Sequence, residues 1–402
     1  MRGQILNANR IFSIDVFRSI TMILMIWVND FWTLISIPKW LKHAPAEEDY
    51  LGFSDLIFPW FLFAMGLSIP FAFSYRLKKG ENKYILLRHI IFRSAALIIM
   101  GLFHMNMEMF SNEHSLITKP VFVLFCTTAF FMIWNDYSDN IKLNRPLFYS
   151  LQILGISILV SMLFLFSGKD YNGIQIGFKA HWWGILGLIG WVYLITSCAY
   201  LFIQNSMTGN VIAFCLCIFL NIVSSSGFAY NIFSWQGDHW IPGNGGLQAL
   251  TFGGIIISLF LKQFQRESNV KRFYIYLSII GFLTLLVGLY LKSFFIISKI
   301  KGTPSWIFIS LSSAILVYVF IYWIVDEKGK SSWFKYINIA GTSTLTCYLI
   351  PYYYYNIVSF SNWTIPTVFV TGIAGLIKSA LFAFLIIGFA WIFSKMKLHM
   401  RI

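Results

Sequence analysis

The sequence predicts an all-α, polytopic integral membrane helix bundle of about 11–12 transmembrane helices with both termini cytoplasmic. Three observations carry that expectation. Of 402 residues, 58% are hydrophobic, 19% aromatic and only 11% charged, whereas soluble domains carry about 25% charged residues. The apolar residues gather in runs close to the ~20 residues that a spanning helix needs. The basic residues fall in short loops at alternate ends of those runs. That is the positive-inside pattern rather than the basic stripe of a nucleic-acid binder, despite a net charge of +14. Membrane lipid is the expected partner, and nucleic acid is not.

Twelve segments qualify as spans: 12–36, 53–75, 84–105, 118–134, 147–167, 182–203, 209–225, 245–264, 273–292, 304–325, 336–358 and 366–394. Segments 118–134 and 209–225 are short, which leaves eleven open as an alternative. The first run is too long for a signal-peptide core and contains Asp15 and Arg18, so it is expected to stay as a helix. Eighteen lysines and arginines lie in the loops and termini of one side. Eight lie on the other: Lys39, Lys42, Lys119, Lys169, Lys179, Lys292, Lys299 and Lys301. The richer side is the cytoplasm. The five cysteines sit inside apolar runs and imply neither a disulfide framework nor a metal site. No repeat and no matched pair of Gly/Pro-broken runs favours an inverted-repeat transporter.

Against this background the polar residues stand out. His43 occupies a short loop between the first two spans, and Asp55 opens the second span where lipid should begin. A base and an acid at a membrane boundary are costly, which makes the pair a candidate site. A carboxylate at a helix start is also favoured by the helix dipole alone. Asp15 and Arg18, three residues apart, share a helix face and can pair. Asn29 lies 11 residues beyond Arg18, within about 20° of it around the helix, so one stripe joins the two ends of the first span. The densest basic patch holds Arg76, Lys78, Lys79, Lys83, Arg88 and Arg93. It reads either as a topology and lipid signal or as a cradle for nucleotide phosphates. Lys378, near the middle of the last span, needs a carboxylate, a ligand phosphate or a lowered proton affinity. The 226–244 loop carries Trp235, Asp238 and His239. With Trp182 it suits a sugar, by ring stacking and hydroxyl bonding, or an interfacial aromatic belt. No P-loop, dinucleotide fingerprint, zinc-protease motif or nucleophile elbow is present.

Ser13-Ile14-Asp15-Val16-Phe17-Arg18, Val28-Asn29, His43-Ala44 and Asp55-Leu56-Ile57-Phe58-Pro59 together resemble the heparan-alpha-glucosaminide N-acetyltransferase family. His181 to Trp191 and Ala340 to Tyr352 look like a bacterial, DUF5009-like branch of it, described only as a domain of unknown function. The resemblance covers nearly the whole chain. It implies one transmembrane acyltransferase-like domain over 1–402, with a family-like core at 11–105 and a C-terminal membrane portion at 245–402. The activity it implies is acetyl transfer from cytoplasmic acetyl-CoA to the amine, or a hydroxyl, of a glucosamine-type sugar on the far side of a bacterial inner membrane. It places the active histidine on His43 and the active asparagine on Asn29, both on the outer side by the charge count. In this scheme Asp55 orients His43. Arg18, Arg76, Lys78, Arg88, Arg93 and Lys378 are candidates to hold the co-substrate, and no metal is required.

Where the family usually has Trp-Asn-Gly-x-Thr, this chain has an acidic loop with Glu47, Glu48 and Asp49. Those three, with Trp182, Trp235, Asp238 and His239, are the acceptor-binding candidates, and their charge suits a cationic amino sugar. A sugar or amino-sugar permease and a non-catalytic scaffold are the alternatives. The oligomeric state is left open, a homodimer included.

Overall fold

A computed structural model describes residues 11–137, 145–228, 243–266, 270–361, 365–398 and 400. These residues are predominantly helical, and ten of the helices are long and apolar enough to cross a membrane. Lipid offers the backbone no hydrogen-bond partner, so each crossing segment must satisfy its own amides, which a helix does. The protein is a multi-pass membrane protein of the all-α class.

In chain order the helices are α1 (Phe12–Asn29), α2 (Ser54–Lys78), α3 (Lys83–Met109), α4 (Lys119–Trp134), α5 (Arg145–Leu165), α6 (Ile185–Ile203) and α7 (Met207–Ser225). They continue with α8 (Gly246–Arg266), α9 (Val270–Leu291), α10 (Pro304–Tyr322), α11 (Asn338–Thr342), α12 (Thr344–Ser361) and α13 (Gly372–Lys395). Two differences from expectation are physical. The expected span 336–358 is broken at Ser343 into α11 and α12, within the hydroxyl run Thr342-Ser343-Thr344, and Gly341 just before the break is pressed against α1. A Cβ there would lie 2.4 Å from Ser19 Oγ and 2.8 Å from the Asp15 carbonyl. The first span tightens after Asn29 into a 3₁₀ turn, Asp30–Thr33, where Thr33 Oγ1 donates to the Asp30 carbonyl at 2.7 Å.

The chain forms two compact units. The first comprises Met1–Leu87, Ile195–Gln236 and Pro242–Thr342. Here α2 packs on α8 through two facing glycines. A Cβ on Gly66 would sit 2.0 Å from the Thr251 carbonyl oxygen, and one on Gly254 would sit 2.2 Å from that of Phe63. Small residues let membrane helices approach this closely. Ser258 Oγ then donates to the Leu67 carbonyl at 3.0 Å. On another side of α2, Phe63, Phe17 and Tyr318 meet edge to face, and Trp60 Nε1 donates to Ser313 Oγ of α10 at 2.8 Å. A π-helical turn at Trp323–Glu327 prolongs α10 and brings Asp326 to the start of α1, where it accepts the Ser13 amide at 3.0 Å. Gly66→Leu is expected to lower stability by about 1–3 kcal/mol through overpacking, read as a lower thermal unfolding midpoint in detergent.

The second unit comprises Arg88–Leu194, Gly237–Ile241 and Ser343–Ile402. It too has a glycine crossing: a Cβ on Gly101 of α3 would lie 2.3 Å from the Gly187 amide nitrogen of α6. Buried His104 stacks on Tyr352 at 4.4 Å, and Thr128 meets the Tyr353 hydroxyl at 3.0 Å, tying α12 to α3 and α4.

Candidate functional site

The site is built where the loop after α1 folds back onto the start of α2. The Phe53 amide donates to the Trp40 carbonyl at 2.7 Å, and Ser54 Oγ donates to that of Leu41 at 2.5 Å. This closure brings the loop backbone at 42 against that at 52. A Cβ on Gly52 would lie only 1.7 Å from the Lys42 carbonyl oxygen, so only glycine fits. Gly52→Ala is expected to displace the neighbouring His43. The measurable result is a loss of His43-dependent activity that exceeds any loss of thermal stability.

Asp55 sits in the first turn of α2 and is 1% exposed. Its Oδ2 accepts two backbone amides, Ala44 at 3.0 Å and Gly52 at 3.1 Å. Its Oδ1 faces His43 Nδ1 at 2.7 Å. Two backbone donors on Oδ2 use that oxygen as an acceptor. An ionised carboxylate has no proton to give, so His43 Nδ1 must donate. The second ring nitrogen, Nε2, then carries the free lone pair. The His43 side chain is 46% exposed, so an imidazole stands on a fixed support at an open surface. From the opposite side, buried Trp306 of α10 donates from Nε1 to the Asp55 carbonyl at 3.3 Å and holds the helix start in place.

A second loop, between α9 and α10, completes the cluster. Lys299 Nζ lies 3.2 Å from His43 Nδ1 and 3.9 Å from Asp55 Oδ1. Burial lowers the proton affinity of Lys299, and the Asp55 charge works against that lowering. The same loop is fastened to the acidic residues of the first. The Ile297 amide donates to Asp49 Oδ1 at 2.8 Å, and Ser298 Oγ donates to the Ala46 carbonyl at 2.9 Å. Lys292 pairs with Asp49 at 3.5 Å and Lys301 with Glu47 at 2.5 Å, while Lys39 pairs with Glu48. The acidic run expected to face an acceptor is therefore engaged with lysines. Five of the eight lysines on the sparsely basic side have carboxylate partners: Lys39, Lys169, Lys292, Lys299 and Lys301.

The other expected residues are distributed as follows. Asn29 is exposed at the last residue of α1, and among the described residues its amide bonds no neighbour. Arg18 pairs with Asp15 at 3.3 Å, as their spacing predicts, and Arg76 pairs with Glu81 at 2.9 Å. Lys78 is exposed at the end of α2. These three belong to the first unit, whereas Arg88, Arg93, Lys378 and Trp182 belong to the second. There Arg88 is exposed, Arg93 covers the Tyr193 ring at 4.9 Å, and Lys378 is half-buried. Trp182 meets Trp191 edge-on at 5.7 Å. Trp235, Asp238 and His239 lie outside the described residues.

Lys299 is the member of the cluster that sequence reasoning passed over. The available signal was its company: Lys292, Lys299 and Lys301 crowd one short loop on the side where lysine is scarce. Such lysines call for carboxylate partners.

A model of a domain of unknown function, DUF5009, matches residues 10–251. The heparan-alpha-glucosaminide N-acetyltransferase of Mus musculus is 36% identical over 104 residues, 25% of this chain and 14% of the mouse protein. That of Homo sapiens is 39% identical over 101 residues, 24% of this chain and 14% of the human protein. The aligned stretch thus spans about a seventh of the length of either relative. With more than half of its length matched by the family model, the chain belongs to the DUF5009 family.

Proposed function

We propose that the protein is a transmembrane acetyltransferase. It takes acetyl from acetyl-CoA supplied on the cytoplasmic side and delivers it to the amine of a glucosamine-type sugar on the outer side, with a sugar hydroxyl as the lesser acceptor. The observation that carries this reading is the His43–Asp55 dyad at 2.7 Å, in which a buried, twice-capped carboxylate fixes a half-exposed imidazole. The similarity to the two mammalian N-acetyltransferases supports it.

In this reading His43 Nε2 either takes the proton of an attacking amine or receives the acetyl group itself and passes it on. Asp55 keeps the ring in the Nδ1–H tautomer. The exposed side-chain amide of Asn29 donates to the carbonyl oxygen as negative charge develops on it. Arg18, Arg76, Lys78, Arg88, Arg93 and Lys378 are the candidates for the co-substrate's phosphates. Glu47, Glu48 and Asp49 shape the acceptor's entrance through their lysine partners, with Trp182 and the 226–244 loop as aromatic candidates. No step calls for a metal. The membrane is the bacterial inner membrane.

The test is direct. Proteoliposomes are supplied with acetyl-labelled acetyl-CoA, with and without glucosamine on the opposite side. Label on the sugar, or on His43 when sugar is withheld, is the expected result. Glucosamine uptake that needs no acetyl-CoA and leaves no label on sugar or protein would establish a permease instead.

A further inference from the structure

Two neighbours make opposite demands on one ring nitrogen of His43. Asp55 Oδ1, at 2.7 Å, needs a proton on Nδ1. An ammonium at Lys299, 3.2 Å away, would need a lone pair there. Neutral imidazole offers one or the other on a given nitrogen, never both. Asp55 is closer and is fixed by two backbone amides, so it takes the proton. The Lys299 ammonium is then left facing Nδ1–H, with Asp55 Oδ1 at 3.9 Å as its counter-charge.

One carboxylate thus serves two bases. It balances either a charged Lys299 beside a neutral His43, or a charged His43 beside a neutral Lys299. Two cations around one buried carboxylate would leave a net charge in a region of low dielectric. Other charges do not break the tie. Within the two loops Lys39, Lys292 and Lys301 are paired with Glu48, Asp49 and Glu47. Lys42 is exposed, and Asp30, just after α1, is buried.

From this juxtaposition we infer that Lys299 is a positioning residue: its ammonium holds the site's one surplus proton, so that His43 stays neutral with the Nε2 lone pair directed outward. This rests on the reading of His43 as the acyl-handling group and adds to it a cause for the ring's reactivity. Asp55 alone would stabilise an imidazolium, which can neither accept a proton nor attack a thioester. Lys299 offsets that pull while leaving the tautomer under the control of Asp55. Burial lowers the proton affinity of Lys299, and the Asp55 charge opposes that lowering.

The experiment measures the ring without any transfer reaction. Diethyl pyrocarbonate acylates neutral imidazole, and peptide mass spectrometry follows its rate at His43 from pH 5 to 8.5 in the full-length detergent-solubilised chain. Removing a like charge in contact with a titrating group shifts its titration by about 1–3 units. Lys299→Met is therefore expected to move the acid limb of the rate profile upward by at least about one pH unit, a tenfold slower reaction on that limb. Lys299→Arg keeps the charge and should reproduce the wild-type profile. Lys301→Met removes an ion pair from the same loop without touching His43 and should also reproduce it.

A Lys299→Met profile that superposes on wild type overturns the assignment. So does an equal shift in Lys301→Met, which would make the effect one of loop packing. Acetyl transfer is assayed separately on the same preparations. A wild-type protein that transfers none removes the catalytic purpose given to Lys299, while the rate profile still decides where the proton resides.

Discussion

His43→Ala is expected to abolish the proposed acetyl transfer and to leave a folded protein. A positioned general base contributes about 10²–10⁴-fold, and a group that itself carries the acetyl cannot be bypassed at all, so a loss of at least about 10³-fold is expected. The substitution also removes the label retained by the protein when sugar is withheld. The fold survives because Asp55 keeps both backbone donors and the nearby Lys299 after the ring is gone. The stability cost is that of one hydrogen bond, about 1 kcal/mol, read as a small shift in unfolding midpoint. Transfer within tenfold of wild type in this variant would place the chemistry elsewhere.

Asp55→Asn is the second large effect, and it separates orientation from presence. The asparagine carbonyl still accepts from the Ala44 and Gly52 amides, so the loop keeps its closure. The side-chain NH₂ then points at His43 Nδ1 and donates to it. The ring must move its proton to Nε2, where the lone pair is needed. In a serine-protease triad the same exchange of carboxylate for amide costs about 10⁴ in turnover with geometry intact. A loss of about 10³–10⁴-fold is expected here on the same physical ground. Asp55→Glu, which keeps the charge, should retain more activity than Asp55→Asn. The reverse order would sink the role given to the carboxylate.

The parts of this molecule that were legible in the sequence are those set by local composition. Apolar runs of membrane-spanning length appear as α1, α2, α3 and their successors, because lipid leaves such a run no alternative to helix. The Asp15–Arg18 pair follows from helical spacing alone. The break between α11 and α12 falls in Ala340-Gly341-Thr342-Ser343-Thr344-Leu345, a run of small and hydroxyl residues that sequence reasoning passed over inside the expected span 336–358. The pairing of Lys299 with His43 was not legible, since the two meet across 256 residues of sequence. The acidic run is the instructive case. Three carboxylates in an external loop look unspent in one dimension, whereas in three each has a lysine.

The fastening of one loop to the other also sets a timetable. Chains emerge from the ribosome at about 5–20 residues per second. Lys299 follows His43 by 256 residues, so it is synthesised roughly 10–50 s later at those speeds. During that interval His43 and Asp55 have already been made, but the α9–α10 loop that meets them has not. The nascent protein therefore carries an unfinished centre for most of its synthesis, and the ninth and tenth helices must be inserted before the centre is complete.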